Sequence, residues 1–155
     1  MEHSFRTATT ADLPAIVALL LDDTLGAARE IAAPSGDLAV DPVYASAFAA
    51  MARDPNQRFV VMEAAGVIIG CMQITFIPGL SRRGMWRGQL ESVRIASHLR
   101  GQGLGRAFFQ WAIAECRAKG CGLVQLSTDA SRTEAQRFYL ALGFEPTHVG
   151  MKLKL

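Results

Sequence analysis

Residues 100–106 have the types and spacing that favour binding of an anion. They read Arg-Gly-Gln-Gly-Leu-Gly-Arg and lie between a run of alternating polarity, residues 89–95, and an amphipathic run. Glycines at alternate positions let a backbone approach a ligand without Cβ atoms in the way. A glycine turn that opens a helix also directs free backbone N–H groups, and the positive end of the helix dipole, toward one point. Such a point suits a phosphate or a diphosphate.

The spacing of these glycines excludes two common phosphate loops. The dinucleotide-binding fingerprint needs a third glycine three residues after the second, and the two registers of this loop place Arg106 or Phe108 there. No Gly-Lys-Ser or Gly-Lys-Thr follows, so the Walker pattern is absent too. The remaining pattern, Arg-x-x-Gly-x-Gly, fits a phosphate-binding loop or an ordinary strand-to-helix turn that binds nothing.

The composition limits the class of protein. The 155 residues are half hydrophobic, which suffices for one core and predicts a single domain over residues 1–155. A net charge of +2 without a long basic run argues against nucleic-acid binding. The apolar runs are too short for a bilayer and the N-terminus lacks a signal-peptide layout, so we expect no membrane partner and a cytoplasmic location. Three cysteines without Cys-x-x-Cys spacing and three scattered histidines predict neither a disulfide framework nor a metal site.

Hydrophobic periodicity and turn residues predict alternating strands and helices that would position the loop. Thr9 and Asp12 have capping-box spacing ahead of the first helix, and Ser131 and Glu134 have it ahead of the last. The predicted strands are, approximately, residues 4–8, 58–63, 67–76, 90–95, 123–127 and 147–155. The predicted helices are, approximately, residues 13–23, 44–53, 104–119 and 131–142.

The order β-α-α-β-β-β-α-β-α-β predicts an α/β domain with a mixed, mostly antiparallel central sheet flanked by helices. The strand-helix-strand unit between residues 91 and 127 should be a right-handed parallel crossover. Ligands bind beyond the carboxyl ends of such strands, where the glycine loop falls.

A second motif follows the glycine loop: residues 135–144 read Ala-Gln-Arg-Phe-Tyr-Leu-Ala-Leu-Gly-Phe. Together with Arg100-x-x-Gly103-x-Gly105 it resembles the two signatures of the GCN5-related N-acetyltransferase (GNAT) superfamily, and the resemblance covers nearly the whole chain. Many members have Asn three residues before the signature alanine, whereas this chain has Arg132. A weaker similarity, to aminoalkylphosphonate N-acetyltransferases, lies in residues 54–58, 126–128 and 132–140.

The resemblance implies a GNAT-like fold and direct acetyl transfer from acetyl-coenzyme A, the co-substrate, to a primary amine of a small molecule. Glu91, in the strand that enters the loop, is then the expected general base, and Tyr139 the general acid for the departing thiolate. Period-two alternation puts Glu91 on one face with Val93 and Ile95, where desolvation would raise its pKa. Each residue also has a non-catalytic interpretation. Glu91 would be a half-exposed strand residue paired with an arginine, and Tyr139 would pack in the core with Phe138.

The resemblance also assigns acetyl-coenzyme A to the backbone of the entering strand and the loop. The main chain at Val93 and Ile95 would pair with pantetheine, and the N–H groups of residues 102–106 would hold the diphosphate. Arg100 and Arg106 would add charge, unless they are solvated arginines at the helix start. The full expected set is Val93, Arg94, Ile95, Arg100, Gly101, Gln102, Gly103, Leu104, Gly105, Arg106 and Arg132.

The residues that would bind the acceptor amine are less specific. Residues 25–41 form an irregular stretch with Glu30 and Asp37, whose carboxylates would receive a cationic amine, and Ser127 lies in a stretch similar to the aminoalkylphosphonate enzymes. Arginines near Trp86 either hold an anionic group of the substrate or form a solvated hairpin tip. These arginines are Arg82, Arg83 and Arg87.

Two other functions are compatible with the same motifs. A non-catalytic acyl-coenzyme A sensor would keep the loop but turn nothing over. An acetyltransferase of protein or peptide amines would share the chemistry but bind its substrate in an open groove. The presence of Glu91 and Tyr139 favours catalysis. A homodimer, paired through sheet edges or the final strand, is a further expectation.

Overall fold

The computed structural model describes residues 1–22, Ala27 and residues 41–155. Its strands are β1 (Ser4–Thr7), β2 (Gln57–Ala64), β3 (Val67–Ile77), β4 (Trp86–Ile95) and β5 (Cys121–Leu126). Its longer helices are α1 (Leu13–Leu21), α2 (Pro42–Arg53), α3 (Leu104–Ala118) and α4 (Thr133–Ala141).

The strands of the described residues form one sheet in the order β1-β2-β3-β4-β5. Neighbours are antiparallel from β1 to β4, and β5 runs parallel to β4. This confirms the mixed, mostly antiparallel α/β sheet and the parallel unit β4-α3-β5. Because β4 and β5 are parallel, their carboxyl ends meet at one edge, from which the chain between β4 and α3 departs.

Alternation along β2 gives the sheet two buried faces. Val60 and Met62 belong to a core that α3 covers with Phe108 and Phe109. Val61, between them, belongs to a second core on the opposite face, which α1 and α2 cover. Burial on both faces holds the sheet between helices, so its free carboxyl edge keeps a fixed position relative to α3.

Two predicted elements differ from the structure. Residues 147–155 form no strand, because a strand needs a hydrogen-bonded neighbour and the described sheet pairs nothing with this segment, which is exposed throughout. The last helix begins at Thr133 rather than Ser131, because the Ser131 hydroxyl and N–H both bond to the Asp129 carboxylate, at 2.7 and 3.0 Å. Ser131 therefore stabilises a turn before α4.

Asp12 is a buried carboxylate that joins β1 to the start of α1. Two nitrogens of the Arg6 guanidinium donate to its two oxygens at 2.7 and 2.9 Å, while Arg6 Nε donates to Glu63 of β2 at 2.9 Å. The Thr9 N–H donates to Asp12 Oδ2 at 2.7 Å, as the capping-box spacing predicts. The pKa of Asp12 is lowered from 3.8 to about 2, and the hydrogen bonds from Arg6 are the main cause. Burial opposes the shift.

We expect Asp12→Asn to lower the free energy of unfolding by about 2 kcal/mol at pH 7, the value of a shift of that size. Because the folded-state pKa is depressed, the stabilisation is complete above the unfolded-state value of 3.8 and is lost as the pH falls through about 2. Urea unfolding at pH 7, 5 and 3 should therefore show a gap between wild type and variant that narrows below pH 4. Asp54→Asn, at an exposed turn, is the control. A gap of constant size down to pH 3 would show that the Asp12 charge is not its source.

Candidate active site

β4 contains one extra residue near its carboxyl end. Cys71 of β3 pairs with Arg94 and Gln73 pairs with Glu91, so two steps along β3 correspond to three along β4. Ser92 accommodates this bulge with a left-handed backbone, φ +52°, and its carbonyl accepts a bond from the Cys71 thiol at 3.6 Å. A bulge bends the strand that carries it and ends or redirects its pairing.

Pairing between β4 and β5 stops just before this bulge. The parallel register runs from Trp86 with Cys121 to Leu90 with Leu126, and β4 then continues to Ile95 with β3 alone. The edge of β4 that faced β5 thus has no strand beside it from Glu91 onward in the described structure. Arg94 Nη1 donates to the Val93 carbonyl at 2.9 Å and Arg100 Nε to the Ile95 carbonyl at 3.1 Å. An extended ligand with amide groups can pair with such an edge as a strand would.

A cavity of about 410 Å³ lies beside the unpaired end of β4, between it and the start of α4. Several of its lining side chains are cationic, so the cavity suits an anionic ligand. It brings together four of the predicted binding residues from β4 and the loop, and Arg132. The lining residues are Val93, Arg94, Ile95, Arg100, Ser131, Arg132, Thr133, Glu134 and Ala135.

The three glycines of the loop have different structural roles. Gly101 and Gly103 have left-handed backbones, φ +79° and +82°, and a Cβ built on either would have no atom of the described residues within 4 Å. Gly103 precedes α3 and none of the described side chains caps the helix, so the amides of the first turn face outward beside exposed Gln102 and Arg106. Gly105 instead packs on α4, where a Cβ would lie 3.5 Å from Phe138 Cζ. Gly101 and Gly103 therefore form the open part of the predicted anion site, and Gly105 joins two helices.

Arg100 lines the cavity and also ties the loop to α1. Its Nη2 donates to the Asp22 carbonyl at 2.7 Å and its Nε to the Ile95 carbonyl at 3.1 Å. The Asp22 carboxylate lies 3.7 Å from the same guanidinium and accepts the Ser97 N–H at 2.5 Å. Burial raises the pKa of Asp22, but the Ser97 bond and the Arg100 charge outweigh it and lower the pKa overall. Arg100 thus has a structural role beside the predicted contact with a ligand.

Tyr139 lies in α4 within a cluster of aromatic rings. Its ring centroid is 5.5 Å from those of Phe109 and Phe138 and 6.0 Å from that of Phe144. Burial raises the pKa of the phenol, and the charges of Arg132 and Arg94 oppose this. The hydroxyl therefore stays protonated at neutral pH, as a proton donor requires, and two cavity arginines lie within electrostatic range of it. Phe138 and Tyr139 both pack against the core, so packing accounts for the ring but not for the hydroxyl.

The bulge changes the face on which Glu91 lies. Leu90 belongs to the core under α3, and Val93 and Ile95 pack against that same core, whereas Glu91 is exposed on the other face. The expectation that Glu91 shares a face with Val93 and Ile95 is therefore wrong, and the burial that it required is absent. Glu91 instead follows the last residue of β4 paired with β5, where the two strands separate.

Glu91 belongs to a polar patch on a sheet whose other positions are mostly apolar. Gln73 pairs with Glu91, and Gln89 pairs with both Thr75 and Gln125, so these side chains share one face. Short bonds link the patch: Gln125 Nε2 donates to Gln89 Oε1 at 2.7 Å, and Thr75 and Gln73 donate to Gln57 at 2.9 and 3.1 Å. We call this the polar sheet face; its residues are Gln57, Gln73, Thr75, Gln89, Glu91 and Gln125.

Sequence reasoning missed this face, although a signal for it exists. In β3 the polar residues Gln73 and Thr75 alternate with buried Met72, Ile74 and Phe76, a pattern that indicates a strand polar on one side. The bulge at Ser92 has no such signal, since serine rarely adopts a left-handed backbone.

The predicted acceptor residues are distributed unevenly. Ser127, exposed, follows the last β5 residue paired with β4 and so lies at the same level of the sheet as Glu91. Trp86 begins β4, about 24 Å along the strand from Val93, and the Lys119 ammonium lies 5.6 Å from its ring. The length of β4 therefore separates Trp86 from the cavity. Arg82 and Arg83 lie in the turn that precedes Trp86. Glu30 and Asp37 lie outside the described residues.

This arrangement, an open strand edge beside a glycine-capped helix, corresponds to a known family. The chain matches the acetyltransferase (GNAT) family over residues 23–144, most of its length. The chain belongs to the GNAT family. The resemblance of its two motifs is thus confirmed.

The relatives of this GNAT protein include two named acetyltransferases and one solved structure with a different description. An aminoalkylphosphonate N-acetyltransferase from Salmonella typhimurium is 30% identical over 68% of this chain and 68% of its own. An L-methionine sulfoximine/L-methionine sulfone acetyltransferase from Pseudomonas paraeruginosa is 30% identical over 94% of this chain and 81% of its own. A crystal structure described as a transcriptional regulator from Bacillus halodurans has a TM-score of 0.92 and 38% identity, covering 99% of this chain and 100% of that one. The chain is an N-acetyltransferase.

The cysteines bear on how a GNAT enzyme would pass the acetyl group. Burial raises the pKa of Cys71, beside the bulge, and of Cys116 to about 12 each, and raises that of Cys121. The thiolate is the nucleophilic form of cysteine, so these thiols are poor acetyl acceptors at neutral pH. The described residues hold no cluster of three His, Cys, Asp or Glu side chains that would bind a metal, and no described helix is long and apolar enough to cross a membrane.

We expect Gly103→Val to weaken acetyl-coenzyme A binding about 100-fold, because the added side chain enters the open space in front of α3. Gly66→Val is the matched control, since Gly66 has φ +76° and equally open surroundings but lies in the β2–β3 hairpin. Both variants carry the same backbone strain, so thermal unfolding should shift similarly in the two. Calorimetric titration checks the affinities. Equal affinity in both variants would exclude the loop as the diphosphate site.

Proposed function

We propose that this chain transfers an acetyl group directly from acetyl-coenzyme A to the primary amine of a small molecule that also carries an anionic group. The observation that carries the proposal is the separation of β4 from β5 after Leu90 and Leu126. Glu91 is the first β4 residue beyond the pairing, two residues before Val93, which lines the arginine-rich cavity. A thiol-release assay with purified protein and a panel of amines tests it. The panel includes aminoalkylphosphonates, amino acids, polyamines, aminoglycosides and peptide N-termini.

The described residues fit acetyl-coenzyme A at three points. Outward amides at the start of α3, with Gly101 and Gly103, suit its diphosphate, and the cavity arginines add positive charge. The open edge of β4 at Val93 and Ile95 suits an extended chain with amide groups. When bound there, acetyl-coenzyme A supplies a reactive acetyl thioester.

Glu91 is the proposed general base. An alkyl amine, of reference pKa about 10, is mostly protonated at neutral pH and must lose a proton before its nitrogen can attack a carbonyl. The Glu91 carboxylate, on the polar sheet face, accepts this proton directly or through a water. As the new N–C bond forms and the C–S bond breaks, backbone N–H groups of the open β4 edge stabilise negative charge on the carbonyl oxygen.

Tyr139 is the proposed general acid. Its phenol remains protonated because burial raises its pKa, so it can donate its proton to the departing sulfur. The second proton, which the nitrogen loses as the amide forms, then restores the phenol. Packing among Phe109, Phe138 and Phe144 fixes the ring, which limits where the hydroxyl can point.

The polar sheet face is the proposed acceptor site. Its amide side chains offer donors and acceptors beside Glu91, and Arg87 lies on the same strand face about 13 Å from Glu91 along β4. A long arginine side chain spans part of that distance, so a compact amine with a phosphonate, phosphate or carboxylate can contact both ends. The names of the relatives, which act on aminoalkylphosphonates and on amino-acid derivatives, support this substrate class.

We expect Glu91→Gln to lower kcat about 100- to 10,000-fold, the usual contribution of a general base, while the affinity for acetyl-coenzyme A stays unchanged. Steady-state kinetics across pH 6–10 and a titration with acetyl-coenzyme A check both parts. Glu145→Gln, an exposed glutamate outside the site, is the control and should behave as wild type. A pH–rate profile of unchanged shape in Glu91→Gln would remove Glu91 as the base.

We expect Arg87→Met to raise KM for an aminoalkylphosphonate about 10- to 100-fold, because a charged hydrogen bond is lost, with a smaller change in kcat. The same variant should treat an alkylamine of equal length that lacks the anionic group as wild type does. Arg83→Met, in the preceding turn, is the matched control. If Arg83→Met gives the larger effect, the anion is bound by the turn rather than by the polar sheet face.

A further inference from the structure

Gln73 and Glu91 lie opposite each other on β3 and β4, at the level of the sheet where β4 leaves β5. They are direct partners in the antiparallel register, so their Cβ atoms lie about 4.5–5.5 Å apart on one face of the sheet. Gln73 is half-buried between the buried residues Met72 and Ile74, whereas Glu91 is exposed. The two side chains therefore reach the same small region, and Gln73 is the more firmly placed of the two.

Hydrogen bonds from the neighbouring strand fix the side-chain amide of Gln73. Its Nε2 donates to Gln57 Oε1 at 3.1 Å, and the Thr75 hydroxyl donates to the same oxygen at 2.9 Å. Gln57 belongs to β2, which lies on the opposite side of β3 from Glu91. Because the amide group is planar, a nitrogen bonded toward β2 leaves the Gln73 oxygen on the side of β4.

Gln73 and Glu91 thus offer two acceptor groups to a ligand. None of the described residues donates a hydrogen bond to Gln73 Oε1, and none of the described cations forms an ion pair with the Glu91 carboxylate. A primary ammonium carries three N–H donors. A base that takes one of these protons becomes neutral and holds the nitrogen less firmly afterwards, so a second acceptor beside it is needed to keep the nitrogen in place.

We propose that Gln73 binds the nitrogen of the acceptor amine beside Glu91, and that Gln57 is a positioning residue that orients the Gln73 amide. This inference rests on the proposed function, since it concerns the same amine. Of the three N–H protons of the ammonium, one passes to Glu91 and one restores the Tyr139 phenol. The third donates to Gln73 Oε1 throughout and remains in the amide product. Gln73 therefore holds the nitrogen in one orientation while its lone pair attacks the thioester carbonyl.

The test measures binding of two ligands to Gln73→Leu by calorimetric titration in the presence of coenzyme A. The ligands are an aminoalkylphosphonate and the alkylphosphonate of equal length that lacks the amine. We expect the affinity for the amine to fall about 10- to 100-fold, the value of a hydrogen bond to a charged group, while the affinity for the analogue stays the same. Gln110→Leu, the same substitution at an exposed position of α3, should bind both ligands as wild type does. Thermal unfolding verifies that each variant is folded.

Gln57→Leu distinguishes an orienting role from a general structural one. We expect this variant to weaken amine binding about 3- to 10-fold by itself, because the Gln73 amide is then free to turn. Added to Gln73→Leu, it should cause no further loss, since it acts only through that amide. Losses that add in the double variant would overturn the positioning role of Gln57.

Turnover of the same amine separates a failure of this inference from a failure of the proposed function. If wild type acetylates the amine and Gln73→Leu binds it as tightly as Gln110→Leu does, the role of Gln73 is wrong and the proposed function stands. An equal loss of affinity for the amine and for the analogue would also overturn the proposal, because Gln73 would then shape the site without holding the nitrogen. If no amine of the panel is acetylated, the proposed function and this inference fail together.

Discussion

β4 and β5 are parallel neighbours as far as Leu90 and Leu126 and separate there, because one extra residue at Ser92 bends β4 away. The separation has two effects on the site. It opens a cavity lined by Val93 and Ile95, and it reverses the alternation so that Glu91 faces the opposite side of the sheet. A ligand chain along the open edge and an acceptor on the polar sheet face would therefore approach one point from two sides. A left-handed serine costs about 1–3 kcal/mol, which the paired strands around it must offset.

Polar contacts fix the elements around this opening. Arg100 and Ser97 bind Asp22 at the end of α1, so the loop that enters α3 is joined to a helix on the other face of the sheet. Gly105 brings the first turn of α3 close to Phe138 of α4. The end of β4, the loop before α3 and the start of α4 border the cavity, and these contacts hold them in fixed positions. A binding site can keep its geometry without a ligand in this way.

The sheet, the glycine loop and the two motif helices could be predicted from the sequence because their signals are local. Periodicity in β2, β3 and α3 directly reflects which side chains are buried. The side on which Glu91 lies could not be predicted, since strict alternation fails at a bulge that depends on pairing with Cys71 and Gln73. The final strand failed for a related reason: residues 147–155 carry the pattern of a strand, but a pattern does not supply the neighbour.

The position of Trp86 is a second feature that the sequence alone did not predict. Its proximity in sequence to three arginines suggested a common site, yet β4 begins at Trp86 and extends about 24 Å before it reaches Val93. Residues adjacent in sequence to a strand's start lie far from its carboxyl end, where the cavity is. Only Arg87, already inside the strand, shares a face with the polar residues around Glu91.

Cys71 occupies a position where reactivity would be harmful, directly against the bulge that shapes the site. Because burial keeps its thiol and that of Cys116 protonated, neither presents the anion that peroxides, disulfides and alkylating agents attack. Burial therefore protects the thiol beside the bulge from oxidation. It also permits coloured disulfide reagents to follow coenzyme release during turnover without modifying the sulfur beside Ser92.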